Sequence, residues 1–242
     1  VVILTGATSG IGRALASAWT ERAARLVLNA RSAEGLEAVA AECRTGVADA
    51  IVVAGDVTRS EVQRALLDAA LTGFGRLDVL VNHAGAGLDG AFESLDAATV
   101  REVLEVNAVA PLALTQRALP ALERARGTVV MMSSIAGLVA MPGSGGYAAS
   151  KFALEALSAS LRAELAAQGS GVRVCVVRPG LAQTPFAEVA RETLDAVDRG
   201  RPEVDLPAGA RALVALGRVS RPALRAVLAR MAPPLGVPRR RG

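Results

Sequence analysis

Aromatic side chains are almost missing from this chain: one tryptophan, one tyrosine and four phenylalanines, 2% of 242 residues. A core without rings must be built from aliphatic side chains in close helix–sheet contact. The scarcity also argues against single-stranded nucleic acid as a partner, because such binders interleave aromatic stacking platforms with basic residues. Lysine is scarcer still, with Lys151 alone against 26 arginines, and His83 is the one histidine. Cys43 and Cys175 are the two cysteines, too few and too far apart for a disulfide framework or a metal spacing, so no metal site is expected. Cys175, inside VRVCVV, reads as a small buried hydrophobe. Apolar runs are interrupted by Arg, Glu or Asp well before the roughly 18 residues that a membrane-spanning helix requires.

What is present fits one α/β domain. The apolar fraction is 52% and the mean hydropathy +0.38, values of a globular chain. The net charge of +4 overstates the basicity of the body, because nine of the 26 arginines lie from Arg201 onward. No nucleic-acid partner is expected. Nothing at the N-terminus reads as a signal peptide, and a cytoplasmic location is the default expectation.

Short apolar runs alternate with helical patterns. Strands are expected at Val1–Thr5, Arg25–Ala30, Ala50–Ala54, Leu77–Asn82, Thr128–Ser133 and Val172–Arg178, with PEVDLP (Pro202–Pro207) as a short seventh. Their runs are continuously apolar, as in strands buried on both faces, which predicts a doubly wound parallel sheet of about seven strands with helices on both sides, a Rossmann-type α/β fold. Thr58 with Glu61 reads as a capping box for the helix after the third strand. The domain is expected to occupy residues 1–207, followed by a basic amphipathic tail over 208–242. In that tail Leu224, Val227, Leu228 and Met231 share one helical face. Packing on the substrate side is the preferred reading of the tail; contact with an anionic membrane surface is the alternative.

Two stretches carry chemistry. Directly after the first strand comes TGATSGIG, in which Gly6, Gly10 and Gly12 let the backbone turn tightly and approach a ligand while a helix N-terminus opens toward a phosphate. That context, strand then glycine turn then helix, is the dinucleotide signature. Further on, GSGGYAASK places Tyr147 and Lys151 four residues apart, one above the other on a helix. An ammonium beside a phenol favours the phenolate, so the spacing predicts a tyrosine whose pKa is lowered toward usefulness as a general acid or base. At the end of the second strand stand Asn29, Ala30, Arg31 and Ser32. An Arg without an acid beside it favours NADP, with NAD as the alternative.

TGATSGIG, NHAG after the fourth strand, SS near the end of the fifth, YAASK on the next helix and RPG after the sixth together resemble the short-chain dehydrogenase/reductase family, over residues 1 to about 186. The resemblance implies a catalytic set of Asn107, Ser134, Tyr147 and Lys151. Tyr147 would be the acid/base. Lys151 would lower its pKa and hold the nicotinamide ribose, Ser134 would hydrogen-bond the substrate oxygen, and Asn107 would bend its helix and hold a water leading to the lysine. It implies cofactor contacts from Gly6, Ser9, Gly10, Ile11 and Gly12, from Arg31, from Asp56 and Val57, and from Asn82, Ala84 and Gly85. Tyr147, Lys151, Pro179, Gly180 and Thr184 complete that set. The chain departs from the family in having His83 where NNAG is common, read here as a hydrogen-bonded spacer, and in lacking the DGG-like C-terminal turn.

The function expected is an NADP(H)-preferring oxidoreductase that interconverts an alcohol and a ketone or aldehyde on an apolar small molecule. The alternative is a catalytically silent nucleotide-binding scaffold of the same fold. A homodimer is expected. Leu88, Phe92, Leu138, Met141, Phe186 and Val189 are expected to line the substrate side, which makes it apolar.

Overall fold

The computed structural model describes residues 1–44, 48–180 and 184–206. Seven strands form one sheet: β1 (Val2–Thr5), β2 (Arg25–Ala30), β3 (Asp49–Ala54), β4 (Val79–Asn82), β5 (Thr128–Met132), β6 (Arg173–Pro179) and β7 (Glu203–Leu206). All neighbours pair in parallel, in the order β3-β2-β1-β4-β5-β6-β7. Parallel strands need crossover connections. Those described are α1 (Gly10–Thr20), α2 (Ala33–Cys43), α3 (Ser60–Asp68), α4 (Ala97–Leu104), α5 (Ala110–Ala125), α6 (Gly145–Ala167) and α7 (Phe186–Arg199).

The continuous apolar runs have a direct cause in this layering. Side chains alternate across a strand, and here both faces are covered. Leu4, Leu28, Val81, Val130 and Val177 enter one core beneath α1, α2 and α7; Ile3, Val27, Leu80, Val129 and Val176 enter the other beneath α3, α5 and α6. Trp19 and Phe74 are the aromatic members of these two cores. Cys43 and Cys175 are buried, and burial raises both thiols, Cys175 to about 11, so they act as small hydrophobes. No described helix is long and apolar enough to cross a membrane.

Strand order reverses between β1 and β4, and the crevice left at such a switch point is where open α/β sheets take their ligands. The expected strands fall within about two residues of those observed, including β7 from PEVDLP. One local expectation is overturned. Thr58 does not cap α3, whose N-cap is Arg59, without a side-chain cap bond. Instead the Thr58 N–H and hydroxyl both donate to Asp56 Oδ1, at 2.9 and 2.8 Å. A carboxylate two residues upstream outcompetes the helix end for that hydroxyl, forming an Asx-type turn. The tail expected over 208–242 lies outside the described residues.

Candidate active site

A cleft of about 650 Å³ opens at the switch point. Part of its lining comes from the turn between Gly6 and Gly12. Gly6 has φ +72°, and a Cβ there would lie 2.8 Å from His83 Nδ1; a Cβ on Gly12 would come within 2.0 Å of the Gly6 carbonyl oxygen. Gly10 has φ +52°. Thus Gly12 serves the turn by close backbone contact, while Gly6, Ser9 and Ile11 line the cleft. The N-cap of α1, Ser9, makes no side-chain cap bond, so its hydroxyl and the first N–H groups of α1 are available to an anion.

Arg31 and Asp56 with Val57 line the same cleft, as do Ala84 and Gly85, Ser134, Tyr147 and Lys151, and Pro179 with Gly180. Four expected residues are not among those that line it. Asn82 is buried, donating to Thr115 Oγ1 at 3.0 Å and to Met131 Sδ at 3.4 Å, and so fixes β4 against α5 and β5. Gly10 and Gly12 shape the turn. Thr184 has a buried hydroxyl with no partner among the described residues. Asn107 is the fifth residue set back from the cleft, and the geometry there is distinctive. The helix from α4 into α5 widens to a π turn over Glu105–Val109. Pro111 explains it: without an N–H it cannot bond the Asn107 carbonyl, so the ladder slips by one residue. The Asn107 amide then points inward. Its Oδ1 accepts from Ala86 N–H and its Nδ2 donates to Ala86 O, each at 2.8 Å, while Nδ2 also donates to Ser150 Oγ at 2.9 Å. Ser150 in turn donates to the Tyr147 carbonyl oxygen at 2.7 Å. Asn107 therefore joins the loop after β4 to the first turn of α6.

Tyr147 and Lys151 share a face of α6 as their spacing predicts, with the Lys151 Nζ 5.7 Å from the Tyr147 ring centroid. Lys151 is only 5% exposed and donates to the Met132 carbonyl oxygen at 2.8 Å. Burial lowers its pKa to about 8, partly opposed by the Glu155 carboxylate one turn along α6. The phenol of Tyr147 departs from the sequence expectation. Its pKa is raised, chiefly by burial and further by Asp89, while a hydrogen bond with Ser134 pulls the other way. Lys151 spends its charge on Met132 and lies beside the ring, so desolvation decides the direction. At neutral pH Tyr147 is thus a protonated donor. Ser134 sits at the end of β5, with its hydroxyl 3.4 Å from the Pro179 carbonyl oxygen and accepting from Ala136 N–H.

Sequence reasoning missed several lining residues: Thr8, Ser32, Ala86, Val106, Met132 and Ser133 among them. Ser133, 3% exposed with an unpartnered hydroxyl, was hidden by its neighbour in the SS pair. Of the six residues expected on the substrate side, none lines this cleft. Val189 is fully buried in the core under α7, a correction that follows from its place on the inner face of that helix. Phe92 and Phe186 are exposed, Phe186 with its ring over Gly10. Leu88 packs where α6 begins, at Gly146.

A parallel doubly wound sheet, a glycine turn at its switch point and a Ser–Tyr–Lys cluster beside it define a nucleotide-binding oxidoreductase class. Residues 1–195 match the family described as short chain dehydrogenase, and the chain belongs to that family. It is 36% identical over 190 residues to 11-beta-hydroxysteroid dehydrogenase A of Sesamum indicum, across 78% of this chain and 54% of that protein. The chain therefore spans about half the length of that curated relative. An alcohol dehydrogenase from Thermococcus sibiricus, solved with 5-hydroxy-NADP, is 27% identical, with a TM-score of 0.77 over 85% of this chain and 94% of that one. A short chain dehydrogenase/reductase from Burkholderia phymatum in complex with NAD shares the fold, with a TM-score of 0.86, 24% identity, and 92% and 94% of the two chains covered.

The donor set fits a nicotinamide dinucleotide: a backbone cradle that a Cβ would fill, an uncapped helix N-terminus, and a buried lysine beside a phenol in one cleft.

Proposed function

We propose that the chain is an NADP(H)-preferring oxidoreductase interconverting an alcohol and a ketone or aldehyde on an apolar small molecule, with Tyr147 as general acid/base. The observation that carries this reading is the convergence of Tyr147, Ser134 and Lys151 on one cleft with the Gly6–Gly12 turn. Bound there, the nicotinamide group supplies or accepts the hydride. Gly6, Ser9 and Ile11 would hold its pyrophosphate, Arg31 with Asp56 and Val57 the adenosine end, and Lys151 the ribose next to the reacting ring.

The protein's own part is proton transfer and orientation. Tyr147, kept as a phenol by burial, donates a proton to the carbonyl oxygen as it gains charge, and takes it back in the oxidative direction. Ser134 directs a second hydrogen bond at the same oxygen, stabilising the developing alkoxide. Asn107, through Ser150 and Ala86, holds α6 and the loop after β4 at fixed distance so that Tyr147 and the cleft wall stay in register.

The preference for NADP is supported at the end of β2. Asn29 is buried and commits its amide to Val53 O and Gly55 O, at 2.9 and 3.1 Å, so β2 presents no carboxylate to repel an extra phosphate. Arg31 lines that end of the cleft and its guanidinium charge acts on Asp56 there.

The test is a panel of aliphatic, alicyclic and steroid-like ketones and alcohols, assayed with NADPH and NADH on wild type and Tyr147→Phe. Turnover in the wild type, reduced by about 10²–10⁴-fold in the variant with nucleotide binding kept, is the expected result. Equal turnover in Tyr147→Phe rejects the mechanism. Saturable nucleotide binding with no turnover on any compound favours the silent scaffold.

A further inference from the structure

His83 stands immediately after β4, where strand order reverses, and its ring lines the cleft. Its Nδ1 lies 3.2 Å from the Thr5 carbonyl oxygen. A carbonyl only accepts, so in a neutral ring this nitrogen carries the proton. The same atom occupies the notch that side chains at Gly6 and Gly12 would enter, 2.8 and 2.9 Å from their would-be Cβ positions. Around it Thr5, the last residue of β1, makes three further bonds. Its hydroxyl accepts from the N–H groups of His83 and Ala84, both at 3.0 Å, and donates to Val81 O at 3.3 Å.

We infer that His83 is a positioning residue for the nucleotide: its Nδ1–H bond to Thr5, set in the notch between Gly6 and Gly12, locks the glycine turn to the Ala84–Gly87 loop. This rests on the nucleotide reading above. The two segments both line the cleft and follow different strands, β1 and β4, so besides β1–β4 pairing and the Thr5 hydroxyl bonds to the His83 and Ala84 N–H groups, the imidazole is the side chain that spans from one to the other. The ring that makes this joint is neutral at pH 7. Burial and the nearby Lys151 charge both oppose a second proton there, which leaves Lys151 as the cation at that end of the site. The imidazole also supplies volume: it fills space that the absent side chains leave at the turn, so the glycines and the histidine are one packing solution. A smaller residue opens the notch, and an apolar one of similar size fills it but leaves the Thr5 carbonyl without this donor.

The experiment uses the one-histidine composition, since a single imidazole gives one set of ¹⁵N signals. Wild type, His83→Ala and His83→Asn are compared for NADPH and NADH affinity by nucleotide fluorescence, and the wild-type imidazole is read by long-range ¹H–¹⁵N correlation. The expected spectrum shows a neutral Nδ1–H tautomer at pH 7 that persists when nucleotide is added. His83→Ala should weaken nucleotide binding about tenfold, while His83→Asn, whose amide can still donate toward Thr5, recovers most of the loss. An Nε2–H tautomer overturns the inference, as does a His83→Ala variant that binds as wild type does, or a His83→Asn variant that binds no better than His83→Ala. Should His83→Ala not fold, the tautomer and the Asn variant against a non-donating His83→Leu still decide it. Wild type that is folded yet binds neither nucleotide overturns this inference together with the reading it rests on; wild-type binding with an indifferent alanine variant overturns this inference alone.

Discussion

Lys151 donates to the carbonyl oxygen of Met132 across 2.8 Å, tying the first turns of α6 to the end of β5 with a buried charge. That bond places the ammonium under the cleft and beside the Tyr147 ring, and it does so at a cost. A lysine whose folded pKa is depressed to about 8 from 10.5 destabilises the folded state at every pH below about 8, by about 3 kcal/mol from the shift alone. Lys151→Met removes the penalty and keeps most of the volume. We expect a variant as stable as wild type or more stable, by about 1–3 kcal/mol in denaturant melts after the lost hydrogen bond is counted, with turnover reduced at least about 100-fold. A variant less stable than wild type would show that the Met132 bond outweighs desolvation.

The same shift predicts a pH profile. In the free enzyme Lys151 is charged below about pH 8 and neutral above it, while Tyr147 stays protonated beyond its usual 10. kcat/KM for carbonyl reduction should be flat through neutrality and fall as pH rises through about 8, because the neutral amine no longer holds the ribose side of the site. A profile that rises through this range would contradict Lys151 as the titrating group.

Acid stability should report on His83. Its folded pKa is about 4 against 6.5 for a free imidazole, so as pH falls below 6.5 the unfolded chain takes up a proton that the folded chain refuses. Folding stability drops progressively between pH 6.5 and about 4, by up to about 3 kcal/mol from this residue, and then levels. Urea melts across that range on wild type and His83→Asn isolate the contribution, since the asparagine variant should lose this part of the slope.

Arg31→Ala should raise the Kd for NADPH about tenfold or more and leave that for NADH within about threefold, because only the former carries the additional phosphate. Parallel losses for both nucleotides would assign Arg31 to general attraction rather than to discrimination.

Glycines near the cleft should not respond alike. A Cβ on Gly12 meets the Gly6 carbonyl oxygen at 2.0 Å, so Gly12→Ala must displace backbone and is expected to cost about 3 kcal/mol or more and abolish nucleotide binding. Gly87 lines the cleft but has nothing within 4 Å of its would-be Cβ; Gly87→Ala should stay within about 0.5 kcal/mol of wild type. Thermal melts of the two variants side by side check the contrast.

Much of this architecture is local information. Continuous apolar runs place strands buried on both faces, the i, i+4 spacing puts Tyr147 and Lys151 on one side of α6, and TGATSGIG requires a turn that only glycines can make. These follow from backbone geometry over a few residues, so the sequence alone determined the layering, the glycine turn between β1 and α1 and the placing of Tyr147 and Lys151 on one face of α6. Tertiary structure decided what those side chains experience. Desolvation raises the Tyr147 phenol against the direction that its lysine neighbour suggests. Asn107 finds Ala86 and Ser150, 21 and 43 residues away, and His83 finds Thr5, 78 residues away. Thr58 turns back to Asp56 instead of capping α3, and Val189 faces the core instead of the substrate side. Burial and long-range partners depend on which elements the sheet order brings together, and no window of the sequence contains that distance.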